Sequence, residues 1–134
     1  MGRGFIDTNV LVYAFTADPR AAAAQALLAQ GCVVSIQGLN EFVTVARRKL
    51  AMSWREVEEA LAAIRRLCPP VAPMDVETHL DGLRIAERHG FAFFDALMLA
   101  SARRAGCAQF WSEDMQHGMV IDGAMTISNP FRAS

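Results

Sequence analysis

The stretch FIDTNVLVYAF, residues 5–15, carries a single charge, Asp7, between two apolar runs. Phe5 and Ile6 read as the end of a buried strand, and Val10, Leu11, Val12 and Tyr13 as a buried helical turn. A carboxylate at such a junction has two possible meanings. It caps the helix that follows, because Asp readily accepts from the first free backbone N–H groups. Or it opens a site at the carboxyl edge of a parallel sheet, where ligands bind in open α/β folds. Whether other acids share that edge decides between them.

Working outward, the chain alternates short apolar runs with helical patterns. The first strand is Gly4 to Asp7, and Asp18-Pro19 opens a helix through Gln30 that Gly31 stops. Cys32 to Ile36, CVVSI, is a β-branched run and the second strand. A helix from Gln37 to Ala51 follows, with Leu39, Phe42, Val43, Ala46 and Leu50 at core spacing. Ser53 is placed to cap SWREVEEALAAIRRL, with Glu56 at the capping-box position. Pro69-Pro70 ends that helix. Val71 to Met74 is the third strand, and Asp75 caps a helix through His89, stopped by Gly90.

Phe94 to Ala105 forms a further helix before Gly106, Gln109 to Ser112 a fourth strand, and Met125 to Ile127 a short last one. Strands alternating with helices require crossovers. The fold class is therefore α/β: three α/β/α layers around a mainly parallel central sheet.

A chain of 134 residues is expected to form one compact domain, residues 1–134. Its 53% apolar content excludes disorder. No apolar run reaches the ~18 residues of a membrane span. The N-terminus enters the first strand with no room for a signal peptide, so a cytoplasmic protein is expected. Cys32, Cys68 and Cys107 are scattered and lack any CxxC pairing, which argues for buried thiols over disulfides or structural zinc. Net charge is −1, and Lys49 is the only lysine. Nearly all positive charge is thus arginine, whose planar fork suits phosphate.

Most of the 14 acids lie on polar helix faces. Four do not: Asp7 ends a strand, Glu41 borders an apolar stripe, Asp95 opens a helix, and Asp114 follows the fourth strand. The plain alternatives are a cap at Asp7, a cap at Asp95 favoured by the helix dipole, and an ordinary helix start at Ser112-Glu113-Asp114. Topology can bring all four to one edge, and four carboxylates in one cleft do not all stay ionised without a cation. Oxygen ligands without histidine or thiolate select Mg²⁺ or Mn²⁺.

At these residues the sequence resembles PIN-domain ribonucleases, and within them the VapC toxins of bacterial toxin–antitoxin pairs. The resemblance lies in FIDTNVLVYAF, SIQGLNEFVTVARRK, FFDALMLASARRAGC and WSEDMQHGMVIDGAMTISNPF, in the family's order across nearly the whole chain. It implies that Asp7, Glu41, Asp95 and Asp114 are catalytic, metal-binding acids and that Thr8, Asn9 and Ser112 support them. Glu113 is the neighbouring alternative for the fourth acid. It also implies an RNA substrate, a VapB-type antitoxin that inserts an arginine among the acids, and a homodimer.

The expected chemistry is hydrolysis by a metal-activated water. That route leaves the 2′-hydroxyl uninvolved and gives 5′-phosphate and 3′-hydroxyl ends. His79, His89 and His117 lack paired acids and are not expected to be catalytic. A haloacid-dehalogenase-like phosphatase would need an Asp where Asn9 stands and a lysine late in the chain; a receiver domain fails on the same lysine. A silent PIN-fold binding module is the remaining alternative. Arg47, Arg48 and Lys49, and Arg103 and Arg104, end helices, where they complement the helix dipole or contact phosphate. The stripes Val57, Leu61, Ile64 and Leu80, Leu83 serve either the core or a partner surface.

Overall fold

The structure, a computed structural model, describes residues 3–132. In chain order the elements are β1 (Phe5–Ile6), α1 (Thr8–Tyr13), α2 (Ala21–Gln30), α3 (Ile36–Arg48), α4 (Trp54–Leu67) and α5 (Val76–His89). They continue with α6 (Phe93–Arg104), β2 (Gln109–Trp111), β3 (Val120–Ile121) and β4 (Met125–Ser128). The sheet order is β1-β2-β4-β3, parallel except for the β3–β4 pair.

Strand residues alternate between the two faces, and that alternation creates the layers. Phe5 and Phe110 point to one face, where their rings stack 5.2 Å apart among Ile85, Met98, Leu99, Met125 and Ile127. Ile6 and Trp111 point to the other, against Val10, Leu11, Leu28, Phe42, Ala46, Val57 and Ile64. Helices α1 to α4 thus cover one side and α5 and α6 the other, as the α/β/α reading requires.

The expected second and third strands shrink to single bridges, Val33 beside Phe5 and Ala72 beside Ser35, both parallel. They still extend the sheet past β1, through Ile6 N–H to the Val33 carbonyl (3.0 Å) and Ala72 N–H to the Val34 carbonyl (2.8 Å). Regular pairing stops because Ser35 caps α3, its hydroxyl accepting from Gly38 N–H, so the helix starts at Ile36. The antiparallel β3 was not expected from the sequence; only Ile121 of its two residues is buried.

The helix from Asp18-Pro19 begins at Ala21, because Asp18 instead closes a turn onto the Arg20 N–H (2.8 Å). The Ser53/Glu56 capping box of α4 and the Asp75 cap of α5 are both formed. Gly31 and Gly90 end their helices at φ of 85° and 77°, where a side chain would be strained. Of the two stripes left open between core and surface, Val57 and Ile64 belong to the core, whereas Leu80 and Leu83 face solvent. Among the described residues no helix is long and apolar enough to cross a membrane.

Candidate active site

The carboxyl edge of the sheet collects the acids. Asp7 leaves β1 with its backbone N–H bound to the Trp111 carbonyl (2.9 Å), which fixes it beside the end of β2. Ser112 follows β2 directly, and its hydroxyl donates to Asp7 Oδ2 at 2.9 Å. Helix α3 carries Glu41 to the same edge. Asp95 arrives from the opposite direction: α6 returns the chain toward the start of β2, so its first turn sits at the edge where β1 and β2 finish.

A cleft of about 470 Å³ is lined by Asp7, Glu41, Asp95 and Asp114 together with Thr8, Asn9 and Glu113. The supporting residues bind the acids to one another. Thr8 donates its backbone N–H to Asp7 Oδ1 (2.8 Å) and its hydroxyl to Glu41 Oε1 (3.1 Å). The Asn9 amide nitrogen lies 3.2 Å from Asp7 Oδ2, 3.1 Å from Asp114 Oδ2 and 3.4 Å from the Ser112 hydroxyl. Its carbonyl accepts from the Glu113 N–H at 3.1 Å. Asn9 thereby ties the chain after β1 to the chain after β2.

Glu113 lines the same cleft but is already engaged. Its two oxygens accept from the Tyr13 hydroxyl (2.9 Å) and pair with Arg20 Nε (3.0 Å). Asp114 is the one whose charge reaches Asp95. The plain alternatives fare differently. Asp7 does cap α1, through the Thr8 N–H, while also lining the cleft. Asp95 is the third residue of α6 and caps nothing, since that helix has no side-chain cap bond. No helix follows Ser112; Met115 N–H donates to its hydroxyl in a turn.

Asp7 is 6% exposed, and burial is the main reason its carboxyl is pushed up to about 6. The Ser112 hydroxyl and Thr8 N–H pull it down, while the charges of Asp95 and Glu41 add to the rise. Asp95 is raised by burial first and then by Glu41 and Asp114. Among the described residues none of the four acids takes part in an ion pair.

Four coupled acids of this kind favour a divalent cation, which would relieve both the burial cost and the mutual repulsion. Among the described residues, however, no three His, Cys, Asp or Glu side chains stand close enough to enclose an ion as they are. Side chains would have to close on it. Asp95 and Asp114 are the ones with room to do so, both lying on exposed residues.

The sequence reading did not single out Gln37, whose amide donates to Glu41 Oε2 at 3.0 Å. Its position four residues before Glu41 on one helix face was the available signal. Tyr13, read as part of a buried turn, is half-buried, lines the cleft and donates to Glu113. Leu50, expected in the core, instead lines the cleft with Val12, Val45 and Lys49. None of the three histidines reaches the cleft. The cysteines are all buried and free, and burial pushes the Cys32 thiol up to about 12.

Residues 4–118 match the model of the PIN domain. The chain belongs to the PIN-domain family. Among solved structures it is similar to the Mycobacterium tuberculosis toxin VapC20, described as cleaving the sarcin-ricin loop. That similarity has a TM-score of 0.60 and 23% identity over 80% of this chain and 86% of the other. No curated protein matches the sequence.

Proposed function

We propose that this protein is a Mg²⁺- or Mn²⁺-dependent endoribonuclease and the toxin of a VapBC-type pair. The observation carrying this is the cleft with Asp7, Glu41, Asp95 and Asp114 on its wall, none held by a basic side chain among the described residues. The PIN-domain match and the likeness to a VapC toxin support the same reading.

Asp7, Glu41, Asp95 and Asp114 would hold the metal, which supplies an activated water and neutralises charge on the phosphate. Thr8 and Gln37 fix both oxygens of Glu41. Ser112 and the Thr8 N–H hold Asp7 in its ionisable form against the cost of burial. Asn9 keeps Asp114 in reach of Asp7. Val12, Val45 and Leu50 give the cleft a dry wall on one side.

In the same reading residues 1–134 form one cytoplasmic domain, and a VapB-type antitoxin covers the cleft with an arginine. Homodimerisation would use α5, which exposes Val76, Leu80 and Leu83 along one side at 48–68%. RNA cleavage by purified protein with Mg²⁺ or Mn²⁺, with EDTA, and by Asp95→Asn tests the proposal. Metal-dependent cutting should fall at least about 100-fold in the variant and leave 5′-phosphate ends. A 2′,3′-cyclic phosphate product rules out the metal-water route. Folded, partner-free protein that cuts no RNA class, structured RNA included, is instead a silent PIN-fold binding module.

A further inference from the structure

Some arginines are already held by acids, while others, Arg55, Arg65 and Arg66 among them, enter no ion pair among the described residues. Arg84 and Arg104 pair with Asp81, and Arg88 and Arg103 with Asp122, in a hollow between α5 and α6. Arg47, Arg48 and Lys49, at the end of α3, enter no ion pair among the described residues and are exposed. Beside them Trp54, the first residue of α4, is 59% exposed. The Arg47 guanidinium lies over the Trp54 ring, 4.3 Å from its centre, and donates to the Met52 carbonyl at 2.8 Å.

Arg47, Arg48 and Trp54 line a shallow hollow of about 340 Å³ together with Val43 and Thr44. It adjoins the acid cleft along a single helix. Glu41, Val45 and Lys49 of α3 line the cleft, and Arg48 follows Glu41 by seven residues. Seven residues turn a helix to within about 20° of its starting direction and advance it about 10 Å. A strand lying across the acids is thus led toward Arg48 and then the Arg47–Trp54 stack.

We propose that this corner binds the single-stranded RNA flank next to the scissile bond. Arg48 and Lys49 take its phosphates, and an unpaired base stacks on the Arg47–Trp54 platform. The inference rests on the ribonuclease reading and names how substrate is held. A lone exposed tryptophan is ordinary; this one is joined by three cations without acid partners, complementary to a polyanion. Stacking on a π face tolerates any base.

The test is binding of a short, labelled, mixed-sequence single-stranded RNA to the Asp95→Asn protein in EDTA. It is repeated with Trp54→Ala, Trp54→Phe or Arg48→Gln added, and kcat and KM are measured for the Trp54 variants with Asp95 intact. Trp54→Ala should weaken binding about 5- to 150-fold, the range for losing one stacked base, while Trp54→Phe keeps most of it. KM should rise with kcat nearly unchanged, and Arg48→Gln should flatten the salt dependence. A protein that still binds and cuts RNA but is indifferent to Trp54→Ala overturns the platform alone; a lowered melting temperature without an affinity change would make the stack a structural corner between α3 and α4. Wild type that neither binds nor cuts RNA overturns the ribonuclease reading and the platform with it.

Discussion

Asp7→Asn should make the metal-free protein more stable at neutral pH. Asp7 is almost fully buried, and its carboxyl rises from 3.8 to about 6. Between those values the folded protein binds a proton that the unfolded chain has released, so stability falls as pH rises through that window. The contribution of the neutral acid is full below about pH 4 and lost as pH passes about 6. The rise corresponds to about 3 kcal/mol at 1.36 kcal/mol per pH unit. Asparagine removes the charge but turns an amide toward the Asn9 amide, where Asp7 Oδ2 had accepted; that mismatch takes back about 1–2 kcal/mol.

A net gain of about 1–2 kcal/mol remains, or roughly 4–8 °C in melting temperature for a chain of this size. Thermal unfolding in EDTA at pH 7.5 and at pH 4 measures it, and the advantage should vanish at the lower pH. Saturating Mn²⁺ should reverse the order, stabilising wild type by about 2.7 kcal/mol at a hundredfold excess over Kd and leaving the variant little changed. An Asp7→Asn protein no more stable than wild type at pH 7.5 in EDTA, or equally favoured at both pH values, would refute the argument that Asp7 is held ionised at a cost.

Ser112→Ala removes a donor that pulls the Asp7 carboxyl down. The acidic limb of the pH–rate profile should therefore move to higher pH, and an unmoved limb would mean that Asp7 does not control it. Replacing Leu80 and Leu83 together with Glu should convert a dimer to a monomer by light scattering. Both side chains are about half exposed, so the melting temperature of the monomer should hardly change. Unaltered mass would remove α5 from the interface.

The layered α/β architecture was legible because apolar runs and helix signals are local. Ser53 with Glu56, Asp75, Gly31 and Gly90 act within a few residues of themselves, and each is found doing what its type suggests. The strands beyond β1 were legible only as apolar runs. Their length depends on which neighbour supplies hydrogen bonds, and the Ser35 cap diverts CVVSI into α3 after one bridge. β3 escaped, and the direction of the α5 stripe stayed open, for the same reason: strand pairing and burial are properties of what lies opposite.

The four acids were marked in the sequence by where they fall, at strand ends and in first or second helical turns beyond them. Sequence by itself determined which residue types were available to the site and that no histidine or thiol accompanies them. Only the tertiary structure decided their mutual arrangement, since contacts such as Ser112 with Asp7 and Asn9 with Asp114 join residues more than a hundred positions apart. It also tied Glu113 to Tyr13 and Arg20 and left Asp114 within reach of Asp95. Adjacent acids in a turn are equivalent until tertiary partners claim one of them, and those partners come from α1 and the segment that opens α2.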